Sequence, residues 1–123
     1  MILDASALLA LIQREAGYEH VLSALPRARM STVNLSEVLS KQTAGHRAQP
    51  LEDWLEELGI AVDDFTREDA RTAAELVGAT RKYGLSLGDR ACLALARRTA
   101  LPVLTADRAW KRLDVGIDVR VIR

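Results

Sequence analysis

One cysteine, Cys92, stands in the 123 residues, so no internal disulfide can form and the chain is expected in a reducing compartment. Aromatic residues are only 4% of the chain, which leaves the core to Leu, Val, Ile and Ala. Prolines number three and are spaced apart, which excludes a proline-rich linker or recognition tract. Charge of neither sign prevails, because Lys plus Arg and Asp plus Glu are 17 each. Net charge therefore neither marks the chain as a nucleic-acid binder nor excludes one, since placement matters more than the total. Long hydrophobic runs are missing too: Ala7 to Ile12 is too short to span a bilayer and has no basic segment before it, so neither an anchor nor a signal peptide is expected. The expectation is one cytoplasmic domain over 1–123 with no membrane role.

Against these absences stand 49% apolar and 28% charged residues, an ordinary globular balance. Five short runs read as strands: Met1 to Asp4, Arg29 to Thr32, Ile60 to Phe65, Pro102 to Thr105 and Asp118 to Ile122. Helical patterns lie between them, over Ser6 to Glu15, Tyr18 to Leu25, Asn34 to Ala44, Leu51 to Leu58, Thr66 to Tyr83 and Ser86 to Thr99. A short helix is expected around Ala106 to Arg112. The amphipathic signal is clearest over Thr66 to Tyr83, where Ala70, Ala73, Ala74 and Val77 fall on one face and Gly84 supplies the stop. Alternating strands and helices predict an α/β fold: a three-layer α/β/α sandwich around a central, mainly parallel sheet of five strands.

Such folds bind ligands beyond the carboxyl ends of their strands. Asp4 ends the first strand and Asp107 follows the fourth, while Glu37 and Asp89 lie early in helices. Each acid has a second reading as a helix cap. Asp4 and Asp107 are good N-cap residues, and Asn34 with Glu37, like Ser86 with Asp89, has capping-box spacing. Thr66 and Asp69 have that spacing with no chemistry assigned to them. Position favours a site: with the first and fourth strands adjacent, all four acids face one edge of the sheet.

Two carboxylates about 4 Å apart repel by about 4 kcal/mol at an effective dielectric of about 20, so a cluster of four calls for a cation or for protonation. Oxygen donors select Mg2+ or Mn2+. His20 and His46 lie in unrelated segments beside a single cysteine, so zinc is not expected.

Four segments carry a resemblance: Ile2-Leu3-Asp4-Ala5-Ser6-Ala7-Leu8-Leu9-Ala10, Ser31-Thr32-Val33-Asn34-Leu35-Ser36-Glu37-Val38, Leu85-Ser86-Leu87-Gly88-Asp89-Arg90-Ala91-Cys92-Leu93-Ala94-Leu95-Ala96, and Val103-Leu104-Thr105-Ala106-Asp107-Arg108-Ala109-Trp110. In order and spacing they resemble the PIN-domain ribonucleases, specifically the VapC-like toxins of type II toxin–antitoxin systems. The resemblance implies that Asp4, Glu37, Asp89 and Asp107 bind the metal, Mg2+ or Mn2+, and carry catalysis. It also implies that Ser6, Asn34 and Thr105 line the site. The implied reaction is hydrolysis of RNA phosphodiester bonds by metal-activated water. Implied partners are RNA, a cognate VapB-like antitoxin and a second copy in a homodimer.

Arg90, Arg108, Lys111 and Arg112 follow the acids and are candidates for RNA phosphates, with a solvated helix face as the other reading. Trp110 either stacks on a base or closes the core. Asp114 either supports a second metal or serves a turn. Tyr18, Val21 and Leu22, or Leu51, Trp54, Leu55 and Leu58, either form a partner surface or pack inward. Two other classes share the predicted fold. A phosphorylation receiver needs an acidic pair after the first strand and a lysine after the last, and both are lacking. A catalytically inactive PIN-type binding module is the other alternative, although all four acids are present.

Overall fold

The computed structural model describes residues 1–123. Five strands, β1 (Ile2–Leu3), β2 (Arg29–Ser31), β3 (Ala61–Asp63), β4 (Val103–Thr105) and β5 (Val119–Val121), form one sheet in the order β3-β2-β1-β4-β5. Every neighbouring pair is parallel. The mainly parallel sheet expected from the sequence is thus wholly parallel. Seven α-helices accompany it: α1 (Ala5–Gln13), α2 (Tyr18–Ala24), α3 (Thr32–Thr43), α4 (Gln49–Glu57), α5 (Arg67–Glu75), α6 (Val77–Thr80) and α7 (Leu87–Thr99).

Side chains on a strand alternate between its faces. Ile2 joins a cluster with Cys92, Leu93, Leu95, Val103 and Trp110 on one side. Leu3 joins Leu8, Val21, Met30, Val38, Leu55 and Leu104 on the other. The sheet is therefore covered on both faces, and β1 at its centre is wholly buried. Trp110, 1% exposed, closes the α7 side of the core, so its packing role holds and base stacking does not. Every residue of α7 from Ala91 to Ala96 is buried, where the small alanines let the helix lie close to the sheet.

The expected single helix over Thr66 to Tyr83 is interrupted. It breaks at Leu76, resumes as the four residues of α6, and ends in a 3-10 turn, Arg81–Tyr83. Two residues account for the break. Gly78 weakens the helix, and the buried Thr80 hydroxyl donates to the Leu76 carbonyl at 2.8 Å, a bond that bends helices. Gly84 then stops the segment at φ 72, in the left-handed region glycine tolerates.

From β1 the chain builds outward through β2 to β3, then returns to place β4 on the other side of β1. The change of direction falls between β1 and β4, the crevice where open parallel sheets bind ligands. Ile2 is in register with Val103 and Leu3 with Leu104, so Asp4 and Thr105 leave the sheet side by side.

Candidate active site

Asp4 leaves β1 at the start of α1, yet its side chain makes no capping bond. It is 3% exposed, and two hydroxyls converge on its Oδ2: Ser6 donates at 2.6 Å and Thr105 at 3.0 Å. Burial pushes its carboxyl up to about 6, with the charge of Asp89 adding to the rise and the two hydroxyl bonds opposing it. Capping, the competing reading of this acid, is thereby excluded.

Glu37 is half-buried on α3, and its carboxyl is raised first by burial, then by the charges of Asp4 and Asp89. The Asn34/Glu37 capping box does not form. β2 stops a residue earlier than expected, so Ser31 is the N-cap and its side chain accepts the Val33 N–H at 3.2 Å. Asn34 is thereby free for another task. Wholly buried, it donates from Nδ2 to the Gly88 carbonyl at 3.0 Å and to Glu37 Oε1 at 3.5 Å.

Asp89 serves two ends. Its Oδ2 accepts the Ser86 N–H at 2.9 Å in a full capping box, so the capping reading holds. Its charge also raises both Asp4 and Glu37, which places it with them. Asp107 stands further out. It is exposed, and its Oδ1 accepts the Ala109 N–H at 2.9 Å, capping the 3-10 helix Arg108–Arg112. Its tie to the pocket runs through the backbone, from its N–H to Thr105 Oγ1 at 3.1 Å.

Three of the four acids thus share one electrostatic environment, and the fourth borders it. No three acidic side chains stand in coordinating geometry as they lie. The carboxylates of Glu37 and Asp107 would have to rotate toward Asp4 and Asp89 for all four to share an ion. The donor set suits a hard cation: carboxylates, hydroxyls and the buried, unpartnered Asn34 Oδ1 are all oxygen. Asp4, held above its ordinary range by burial and by a neighbouring anion, is a group a cation would relieve.

Among the cations read from the sequence, Arg90 differs from the others in its surroundings. It is half-buried and donates from Nη1 to the Leu85 carbonyl at 2.9 Å, in the loop before α7. Arg108, Lys111 and Arg112 are exposed on the 3-10 helix and form none of the four salt bridges of the chain. Three residues per turn set Arg108 and Lys111 one above the other beside Asp107. Lys41 was missed. It follows Glu37 by one helical turn and its charge lowers that carboxyl, and the i, i+4 spacing was the available signal. Also missed was Gly88, whose empty side-chain space holds the Glu37 carboxylate. Asp114 is exposed in the loop before β5, as a turn residue would be.

Of the two apolar stripes, Val21 and Leu55 are core residues. Leu22, 52% exposed, and Trp54, 38% exposed, instead line a groove of ≈ 360 Å3 with Leu11, Ile12, Tyr18 and Leu58. No helix is long and apolar enough to cross a membrane.

Comparison with known proteins agrees with this fold. The PIN domain family matches residues 1–116. A VapC ribonuclease of Mycobacterium bovis is 32% identical over 129 residues, covering 94% of this chain and 96% of that protein. Ribonuclease VapC42 of Mycobacterium tuberculosis matches to the same extent, at 32% identity and the same coverage of 94% and 96%. In fold, the chain is similar to a toxin–antitoxin complex from Klebsiella pneumoniae, with TM-score 0.76, 21% identity, and 99% and 97% of the two chains covered. It is likewise similar to DNA-bound VapBC from Salmonella typhimurium, with TM-score 0.73, 17% identity and the same coverage of 99% and 97%. With its fold, its strand-end acids and its full-length relatives in agreement, the chain belongs to the PIN domain family, in the branch of the VapC ribonucleases.

Proposed function

We propose that this chain is a VapC-type endoribonuclease toxin of the cytoplasm, dependent on Mg2+ or Mn2+ and neutralised by a cognate VapB-like antitoxin. The observation that carries the proposal is Asp4: a carboxyl buried at the β1 end, pushed up to about 6, and sharing its environment with Glu37 and Asp89. Asp4, Glu37, Asp89 and Asp107 would hold the ion. Bound there, it would lower the pKa of a water and stabilise charge on the phosphoryl oxygens of an RNA phosphodiester.

The remaining work falls to residues of the chain. Ser6 and Thr105 fix the orientation of Asp4 through Oδ2 and leave Oδ1 to face an ion. Asn34 steadies Glu37. Arg108, Lys111 and Arg112 supply exposed cations beside Asp107 for the phosphates that flank the cut. No nucleophilic side chain takes part, since Ser6 donates to a carboxylate and has no histidine partner.

The groove lined by Leu22 and Trp54 suits the apolar face of an antitoxin helix, which would cover two large side chains that the fold leaves in solvent. A homodimer is part of the same proposal.

Purified protein incubated with RNA tests the reading. Cleavage should require Mn2+ or Mg2+, stop with a chelator, and be absent in Asp4→Asn and Asp89→Asn. Cleavage that persists in a chelator, or in Asp4→Asn, would refute it.

A further inference from the structure

The second residue of α7 is a glycine, Gly88, although its backbone does not adopt a positive φ. Glycine is the poorest helix former after proline, so a requirement for conformational freedom does not explain it. A requirement for room does. A Cβ built on Gly88 would overlap Glu37 Oε1 and crowd the rest of that carboxylate. The Glu37 carboxylate therefore lies where the side chain of residue 88 would begin, one residue from Asp89. Asn34 bridges the two residues. Both its partners, the Gly88 carbonyl at 3.0 Å and Glu37 Oε1 at 3.5 Å, are acceptors, so the amide must present its NH2 to them.

We infer that Gly88 is a positioning residue: by lacking a side chain, it lets the Glu37 carboxylate of α3 rest on the start of α7, beside Asp89. The inference rests on the reading of Glu37 as an acid that holds the ion. A merely structural role, in which glycine only lets α3 and α7 pack closely, makes the opposite forecast. In that case alanine strikes immobile packing and the fold suffers. In the positioning role, the atoms displaced are the free end of a flexible side chain, so the fold is spared and the site loses its acid.

The experiment combines Mn2+ calorimetry with melting of the metal-free protein, for wild type, Gly88→Ala, Glu37→Ala and the double variant. Gly88→Ala should bind Mn2+ about 10- to 100-fold more weakly, the usual loss when the support of a metal ligand is removed. Its metal-free melting temperature should equal or exceed that of wild type, because alanine favours the helix. In the Glu37→Ala background the same change should cost no further affinity, since it acts only through that carboxylate. Unaltered Mn2+ affinity in Gly88→Ala, a clearly lower melting temperature, or a further loss in the Glu37→Ala background would each overturn the inference. A wild type that takes up no Mn2+ would instead remove the metal-dependent reading beneath it.

Discussion

Thr105 donates its hydroxyl hydrogen to Asp4 Oδ2 at 3.0 Å while its oxygen accepts the Asp107 N–H at 3.1 Å. Ser6 does the same from the other side, donating to that oxygen at 2.6 Å and accepting the Ala106 N–H at 2.9 Å. Each hydroxyl has one hydrogen, and both are spent on Asp4, so the 3.2 Å approach between Ser6 and Thr105 is a contact rather than a bond. The pair ties the turn after β4 to the acid after β1 and saturates Oδ2. Thr105→Val, which keeps the shape and removes the hydroxyl, should weaken Mn2+ binding by about 10- to 100-fold, and Thr105→Ser should recover most of it. Equal affinities by calorimetry in all three proteins would show that the hydroxyl orients nothing.

Asp4 also predicts a pH dependence. On folding, its carboxyl rises from an ordinary value of 3.8 to about 6, chiefly through burial. Its contribution to stability is therefore fully present below about pH 4 and is lost as pH climbs through about 6. The loss is about 3 kcal/mol, since a difference of one in pKa is worth about 1.4 kcal/mol. Glu37, raised for the same first reason, adds in the same direction. In urea unfolding with a chelator present, Asp4→Asn should gain on wild type between about pH 4 and about pH 8. A stability difference that does not change with pH contradicts the burial argument.

Asp69 and Asp89 occupy equivalent capping boxes and should respond differently to substitution. Asp69 is buried against Arg98, whose Nε donates at 2.9 Å and so fastens α5 to α7. Burial alone would push the Asp69 carboxyl up, but the Arg98 and Thr66 bonds hold it below its ordinary range. Asp69→Ala should cost about 2 to 3 kcal/mol, low for a buried pair because Arg98 reaches solvent, and leave Mn2+ binding intact. Asp89→Ala should cost about 1 kcal/mol, the value of a cap, and remove most Mn2+ affinity. Denaturation and calorimetry on the two variants separate the roles, and a matching pattern in both would refute the distinction.

The groove carries its own test. Leu22→Glu and Trp54→Glu should each weaken capture of the antitoxin by at least about 30-fold, corresponding to about 2 kcal/mol for an anchor residue. RNA cleavage by the chain alone should be unchanged. Undiminished capture would place the antitoxin elsewhere.

Much of this architecture was legible in the sequence because strand and helix periods are local. The alternation of elements, the parallel sheet and the placing of Asp4 and Asp107 at strand ends all followed from pattern. Side-chain destinations did not. Asn34 and Glu37 have the spacing of a capping box, but β2 ends a residue early and Ser31 takes the cap, which frees Asn34 to bridge α3 and α7. Arg90 follows an acid as Arg108 does, yet its guanidinium turns back to the Leu85 carbonyl, a direction that the spacing does not encode. Gly88 carries no local signal, because its significance lies in the carboxylate of Glu37, which is distant in the chain. The break at Leu76 was signalled by Gly78 and Thr80, which a helix-period count passes over.

The central claim is that one hard cation is shared by acids drawn from four segments of the chain. Crystals grown with Mn2+ and measured at its absorption edge test it most directly. The account predicts an anomalous peak about 2.0 to 2.3 Å from Asp4 Oδ1, with Asp89 in its shell and both Glu37 and Asp107 rotated toward it. A protein that cleaves RNA in Mn2+ while showing no peak between Asp4 and Asp89 would contradict it.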